Sequence, residues 1–244
     1  MVRLRTRIKR TLKNWFECVQ FMLSTKKNSL YREFAGCRSD EDLFGFADTH
    51  IGIGQNPNEF LRFLAYIKEK EPSTVCEIGV REGGTNFMFA NTLKTCSVIV
   101  GVDILLCNIH LLKFFCRHNV KQHFISGYSA EPRTVRKVEN ALGERKIDVL
   151  FIDGDHSQEG VGNDFKAYRH LVREGGVIVF HDICMDHRRR YGTETPNDSG
   201  EVHLFWQKIR EHYHVAEFFE NSNQNGAGIG LIVWDAGKAI PKDL

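Results

Sequence analysis

Five short apolar runs, at 74–78, 98–103, 122–126, 147–153 and 177–181, are separated by segments whose apolar residues recur at helical spacing, at 85–93, 109–118, 132–142 and 161–174. Consecutive parallel strands need a crossover long enough to hold a helix, so this alternation predicts a parallel sheet wound in the right-handed sense. The last third changes character. A helix at about 202–213 precedes two further strands, 215–219 and 228–234, with the turn-rich stretch 221–226 between them. That pair reads as an antiparallel hairpin closing the sheet. The expected fold is therefore α/β, a doubly wound and mostly parallel seven-stranded sheet ending in an antiparallel hairpin, with a helical extension at the N-terminus.

The extension covers residues 1 to about 30. Leu4, Ile8, Leu12, Trp15, Phe16, Val19 and Leu23 fall at steps of three and four, while Arg3, Arg5, Arg7, Lys9, Arg10 and Lys13 crowd its start with no acid before Glu17. Such a basic amphipathic helix covers a main domain or a dimer partner; the alternatives are peripheral attachment to an acidic membrane surface or organelle import. Residues 31–56 read as an irregular, Gly- and Asp-rich linker, which divides the chain into an arm at 1–55 and a ligand-binding domain at 56–244. Asn58 is the expected cap of a helix running to about residue 70. A net charge of +2 gives no sign of a nucleic-acid partner. No stretch approaches the roughly 18 apolar residues of a membrane span. Seven scattered cysteines without a C-x-x-C pair point to a reducing, cytoplasmic setting.

The polar chemistry gathers where strands end. The run Val149-Leu-Phe-Ile152 closes in Asp153-Gly-Asp-His156, and Gly176-Val-Ile-Val-Phe180 runs into His181-Asp182. Ligands of open α/β sheets bind at the carboxyl ends of strands. Two neighbouring strands ending in carboxylates and imidazoles suggest one site, and their spacing suggests a metal. A second feature follows the first strand: Glu77-Ile-Gly79-Val-Arg-Glu-Gly83-Gly84-Thr85 turns directly into a helix. Gly79 permits the turn, Gly83 and Gly84 permit close approach to a ligand, and Thr85 offers a hydroxyl at the helix start. Asp103, at the end of the next strand, suits the two hydroxyls of a ribose, and Glu77 suits an ammonium group.

The set Glu77-x-Gly79-x-x-x-Gly83-x-Thr85, Asp103 and Asp153-x-x-His156 resembles the class I S-adenosylmethionine-dependent methyltransferases. Within them it is most similar to the metal-dependent O-methyltransferases, in the branch of macrolide-sugar O-methyltransferases and cephalosporin-hydroxylase-like proteins, over residues 56 to 234. The resemblance implies a Rossmann-like fold and S-adenosylmethionine as cofactor. It assigns Glu77 and the Gly79–Gly84 backbone to the methionine part, Thr85 to its carboxylate and Asp103 to the ribose. Gly127, Tyr128 and Ser129 would frame the adenine, although relatives carry an acid where this chain has Tyr128. It assigns Asp153, His181 and Asp182 to a divalent metal, Asp153 bordering the cofactor as well, and His156 to the general base that takes the acceptor proton.

His181 stands where relatives carry Asp or Glu. Mg²⁺ is the first expectation, but imidazole suits Mn²⁺ or Fe²⁺ better, unless Asp155 is the ligand and His181 stands behind it. The implied acceptor is a small hydroxylated molecule, a sugar or an anionic glycoside. Arg188, Arg189 and Arg190 lie in a loop able to close over such an acceptor. Two rivals remain: a non-haem iron oxygenase built on His156, His181 and a carboxylate, and a silent cofactor-binding scaffold. A homo-oligomer is compatible with all three.

Overall fold

A computed structural model describes residue 16 and residues 18–221 and 223–240. The stretch 1–15, with most of the basic arm, lies outside the described residues. Strands β1 (Thr74–Ile78), β2 (Val98–Asp103), β3 (Lys121–Ser126), β4 (Ile147–Ile152), β5 (Val172–His181), β6 (His214–Phe218) and β7 (Ile229–Val233) form one sheet in the order β3-β2-β1-β4-β5-β7-β6. The first five are mutually parallel, and β7 runs antiparallel to both β5 and β6. The sheet is thus doubly wound, mostly parallel and seven-stranded, with the expected hairpin at its edge.

Each inner strand splits its side chains between two cores, as period-two geometry requires. Val75, Val149, Phe151, Val177 and Val179 face one side, and Cys76, Ile78, Leu150, Ile152, Ile178 and Phe180 the other. Helices α1 (Lys26–Gly36), α2 (Asp40–His50), α3 (Pro57–Lys68), α4 (Gly84–Thr92) and α5 (Ile109–Phe114) serve the first side. The second is covered by α6 (Pro132–Leu142), α7 (Gln158–Tyr168) and α9 (Val202–Ile209). The short α8 (His187–Tyr191) stands near the site.

Residues 31–56 are not the irregular linker that their Gly and Asp content suggested. Ser39 accepts from Asp42 N, and the Asp42 carboxylate accepts from Ser39 N, a reciprocal cap that starts α2. Phe34 and Phe46 then pack on Phe87 and Phe115. A second aromatic group, Phe60, Phe63, Phe89, Phe151 and Phe218, joins α3 and α4 to the sheet. Burial of these rings outweighs weak local helix propensity. Residues 18–23 are helical, and Phe21 packs on His110 and Phe114 of α5.

Two further boundaries differ from the sequence reading. Asn56, not Asn58, caps α3, because Pro57 fills the first helical position and Asn56 Oδ1 accepts from Asn58 N and Glu59 N. The fourth helix is shorter than 161–174 at its end: the chain leaves it at Tyr168, and Val172–Glu174 already belong to β5. His203 is buried on α9 rather than at the surface. All seven cysteines are free. No helix of the described residues is long and apolar enough to cross a membrane.

The strand ends far from the site are tied by Asp148. Its Oδ2 accepts from Ser73 N, Ser73 Oγ and Thr74 N at 2.8–2.9 Å, and its Oδ1 accepts from Arg173 Nε. Burial raises its pKa, but the bonds from Arg173 and Ser73 outweigh this and hold the carboxyl below its ordinary value. Stability from such a group is present above the unfolded carboxyl pKa of about 3.9 and is lost as pH falls through the lower folded value. We expect Asp148→Ala to cost about 2–3 kcal/mol at pH 7, with the gap to the parent protein shrinking below about pH 4. Urea unfolding at both pH values measures it.

Candidate active site

Strand order reverses between β1 and β4, so the crossovers on either side diverge and leave a crevice at the carboxyl edge. A cleft of about 1340 Å³ opens there, and it runs from the turn after β1, past Asp103, to the ends of β4 and β5. Its floor is set by backbone. Asp153 N donates to Ile78 O at 2.8 Å, Gly79 N to Val102 O at 2.9 Å and Gly127 N to Asp103 O at 3.0 Å.

Gly79 has φ +92°, and a Cβ placed on it would stand 1.8 Å from the Asp153 carbonyl oxygen. Gly84 is crowded differently: a Cβ there would lie 2.4 Å from the carbonyl oxygen of Gly52, which accepts from Gly84 N at 2.9 Å. Loop 51–56 therefore forms the wall opposite the turn. Thr85 lines the cleft, whereas Gly83 packs against Leu112 and does not line it. Glu77, 1% exposed, lies beneath the turn outside the cleft lining. Burial pushes its carboxyl up to about 8, against the Asn86 side chain, which pulls it down. Glu77 thus faces Asn86 of α4 from behind the cleft lining, with its Oε2 buried and unpartnered.

Asp103 Oδ2 accepts from Arg81 N at 2.7 Å and Oδ1 from Leu105 N at 2.5 Å. Those bonds fix the carboxylate at the cleft and leave each oxygen a lone pair for a hydroxyl donor. Tyr128 and Ser129 line the next stretch, with Tyr128 62% exposed and flanked at the mouth by exposed Ile104 and Leu105.

At the other end Asp153, His181 and Asp182 bring one ligand atom each within 4.8 Å of one another. His181 Nδ1 is 3.0 Å from Asp153 Oδ1 and 3.4 Å from Asp182 Oδ2. His156 bridges the same carboxylates, with Nε2 3.5 Å from Asp153 Oδ1 and Nδ1 3.3 Å from Asp182 Oδ2. Its Nδ1 is also 3.0 Å from the Asp198 carbonyl oxygen. Asp182 adopts φ +64°, uncommon for a residue with a side chain, and Ser199 Oγ donates to its Oδ1 at 3.0 Å. Asp155 turns away, its Oδ1 accepting from Ser157 N at 2.9 Å, so His181 and not Asp155 completes the cluster.

The electrostatics follow from this proximity. Burial raises the Asp153 pKa, but the His181 and His156 imidazoles more than offset it and hold the carboxyl well below its ordinary range. The hydrogen bond to Asp153 leads in pushing His156 up to about 9; burial opposes it and Asp182 adds to it. For His181, burial acts downward, yet Asp153 and Asp182 carry it well above the ordinary imidazole value. Two carboxylates and an imidazole converging on one point, with His181 Nε2 buried and unpartnered, form a donor set that fits a divalent cation.

Gln55 was not singled out from the sequence. Its Nε2 donates to Asp153 Oδ2 at 2.9 Å, and it lines the cleft. Nothing local marked it, since it sits between strandless loop residues 98 positions before its partner. Glu59 is likewise buried, receiving Gln224 Nε2 and Gly228 N at 2.6 and 2.8 Å and so locking α3 to the turn before β7. Of the three loop arginines, Arg189 is bound to Asp186 and Asp198 at 2.7 and 2.8 Å. It straps segment 193–200 over the site and is committed to its own chain.

Residues 76–183 match a protein family described as a methyltransferase domain. Over 151 residues the chain is 37% identical to an uncharacterized protein of Acanthamoeba polyphaga mimivirus, a match covering 58% of this chain and 63% of the viral one. Over 141 residues it is 26% identical to rhamnosyl O-methyltransferases of Mycobacterium bovis and Mycobacterium tuberculosis, covering 55% of this chain and 56% of theirs. The chain thus spans little more than half the length of these curated relatives. An O-methyltransferase from Bacillus cereus, solved with S-adenosylhomocysteine, superposes with a TM-score of 0.57 at 16% identity, covering 82% of this chain and 93% of that one. The O-methyltransferase TomG of Streptomyces achromogenes, solved with S-adenosylmethionine, gives 0.52 at 17% identity, covering 83% and 94%. These superpositions identify the fold as the Rossmann-like one of those O-methyltransferases.

The Gly79 contact yields a controlled test. Gly143 also has positive φ, +63°, but a Cβ there meets nothing within 4 Å. We expect Gly143→Ala to cost about 1 kcal/mol, from backbone conformation alone. Gly79→Ala should cost at least about 3 kcal/mol, because the clash with Asp153 adds to that strain. Chemical denaturation of the two variants gives the difference.

Proposed function

We propose that this chain is an S-adenosylmethionine-dependent, divalent-cation-assisted O-methyltransferase acting on a hydroxyl of a sugar or a small glycosylated metabolite. The observation that carries the reading is the meeting, in one cleft, of the glycine turn and Asp103 with the Asp153–His181–Asp182 cluster and His156. Gly79, Gly84 and Thr85 would border the methionine part of the cofactor, Asp103 would hold its ribose, and Tyr128 and Ser129 would frame its base. The cofactor supplies an electrophilic methyl group on sulfonium. A cation held by Asp153, His181 and Asp182 supplies charge that lowers the pKa of an acceptor hydroxyl. Mg²⁺ is the first candidate, and the imidazole ligand makes Mn²⁺ and Fe²⁺ apt as well.

His156 takes the acceptor proton. The carboxylates that push His156 up to about 9 would be shared with the cation, which would let the imidazolium give up its Nε2 proton; the Asp198 carbonyl, which can only accept, would keep the hydrogen on Nδ1 and leave Nε2 as the basic nitrogen. Asp153 and Asp182 then stabilise the imidazolium that forms. Support for a sugar comes from the likeness to rhamnosyl O-methyltransferases and from the cleft wall. Gln55, Asn56, Asn197, Gln224 and Asn225 line it, and amides suit hydroxyl groups better than they suit an aromatic ring.

The deciding experiment is calorimetric titration of S-adenosylhomocysteine into metal-stripped protein, repeated with Mg²⁺ and Mn²⁺, followed by methyl transfer to rhamnosides with a catechol as control. Micromolar-range binding and transfer to the glycoside support the reading. Absence of binding in every condition sinks it and turns attention to iron chemistry. Asp153→Ala should abolish the heat of Mn²⁺ binding while weakening S-adenosylhomocysteine less than about tenfold, a loss of under about 1.4 kcal/mol. His156→Ala should slow turnover roughly 10²–10⁴-fold with the fold intact; full activity would remove it as the base.

A further inference from the structure

Asp164 is 1% exposed, and neither of its carboxylate oxygens has a hydrogen-bond partner. It lies on the face of α7 that buries Val161, Phe165 and Tyr168 against the sheet, where an apolar residue would pack at no electrostatic cost. An unpaired buried carboxylate is expensive, and proteins rarely keep one without a donor to meet it. Burial raises its pKa to about 6, so it carries charge at neutral pH. Among the described residues no cation is recorded against it: the Ser129 side chain lowers its pKa without coming within hydrogen-bond geometry, and Asp155 raises it.

Its position says what the missing donor is. Asp164 lines the cleft, as do Ser129, Ala130 and Asn163. A Cβ on Gly154, itself in the cleft wall, would stand 3.2 Å from Asp164 Oδ2, so at that position no side chain of the chain's own stands between the carboxylate and the wall. Tyr168 donates its hydroxyl to Ser129 O at 2.7 Å and fixes this wall. With the methionine part at Gly79 and Thr85 and the ribose at Asp103, the base extends toward 127–131. The one strong donor that adenine offers is its exocyclic amine.

We propose that Asp164 receives the 6-amino group of the cofactor's adenine, supplying from α7 the acid that position 128, a tyrosine, does not. The inference rests on the methyltransferase reading. S-Inosylhomocysteine, which carries oxygen in place of that amine, separates the two. The parent protein should bind S-adenosylhomocysteine about 10–100-fold more tightly than the inosyl compound, as loss of a charge-assisted bond predicts. Asp164→Asn keeps the shape and places an N–H₂ that can donate to the inosyl oxygen. It should therefore weaken the adenosyl compound and tighten the inosyl one, a reversal that a packing role would not produce. Equal affinities in the parent protein overturn the proposal even if the variant fails to fold. A preference that survives unchanged in a folded Asp164→Asn overturns it too, with the proposed function left standing. If the parent binds neither compound, the methyltransferase reading falls and this one with it.

Discussion

The site depends on one close approach, that of the Gly79 backbone to the Asp153 carbonyl. Strands β1 and β4 are neighbours in register, Ile78 beside Ile152, and the bond from Asp153 N to Ile78 O continues the ladder one step past the sheet. The chain then turns one way at Gly79 and the other way at Asp153. A side chain on residue 79 would occupy the volume of the Asp153 carbonyl. The glycine turn and the first carboxylate are for this reason one rigid body, and a cofactor seated on one is held at a fixed distance from a cation on the other. Proximity of that kind is worth more to a transfer reaction than any single contact, because misplacement by even an ångström is costly.

Charge at the β4 and β5 ends is balanced within a few ångströms. Two buried carboxylates would repel, and two buried imidazoles would shed their protons; placed together, each pair sustains the other's charge. The same carboxylates serve the imidazolium and a cation, so the cluster is poised between two cationic partners. Holding it open demands strain elsewhere. Asp182 keeps a left-handed backbone, and Ser199, itself bonded by Ala227 N at 2.9 Å, secures its carboxylate.

Much of this was legible in the sequence. Short apolar runs with helical spacing between them predict the parallel part of the sheet, and strand ends rich in Asp and His mark the edge where the cleft opens. What the sequence concealed has a physical reason in each case. The aromatic rings that draw residues 31–50 onto the core act through partners far along the chain, such as Phe34 with Phe115. The placement of Glu77 beneath the turn reflects a choice between two sides of a strand end, and a lone acid at a strand end does not reveal which side it takes. Gln55 and Asp164 owe their significance to neighbours from other elements, and neither carries a local motif.

The two halves of the cleft differ in how they are made. The cofactor half comes from successive βα units between residues 76 and 183, where turn geometry constrains each residue through the sheet. The acceptor half is assembled from Gln55 and Asn56 before that segment and from Asn197, Gln224 and Asn225 after it. Those loops are held to one another by side-chain bonds, Asn197 Nδ2 to Asn225 O at 2.6 Å and Gln224 to Glu59 among them. Under the proposed function these loops would carry the acceptor's side of the cleft, apart from the strands that would hold the cofactor. The family match ends where the sheet's constraint on the ligand ends. Under the proposed function the acceptor would be read by residues that lie outside that segment.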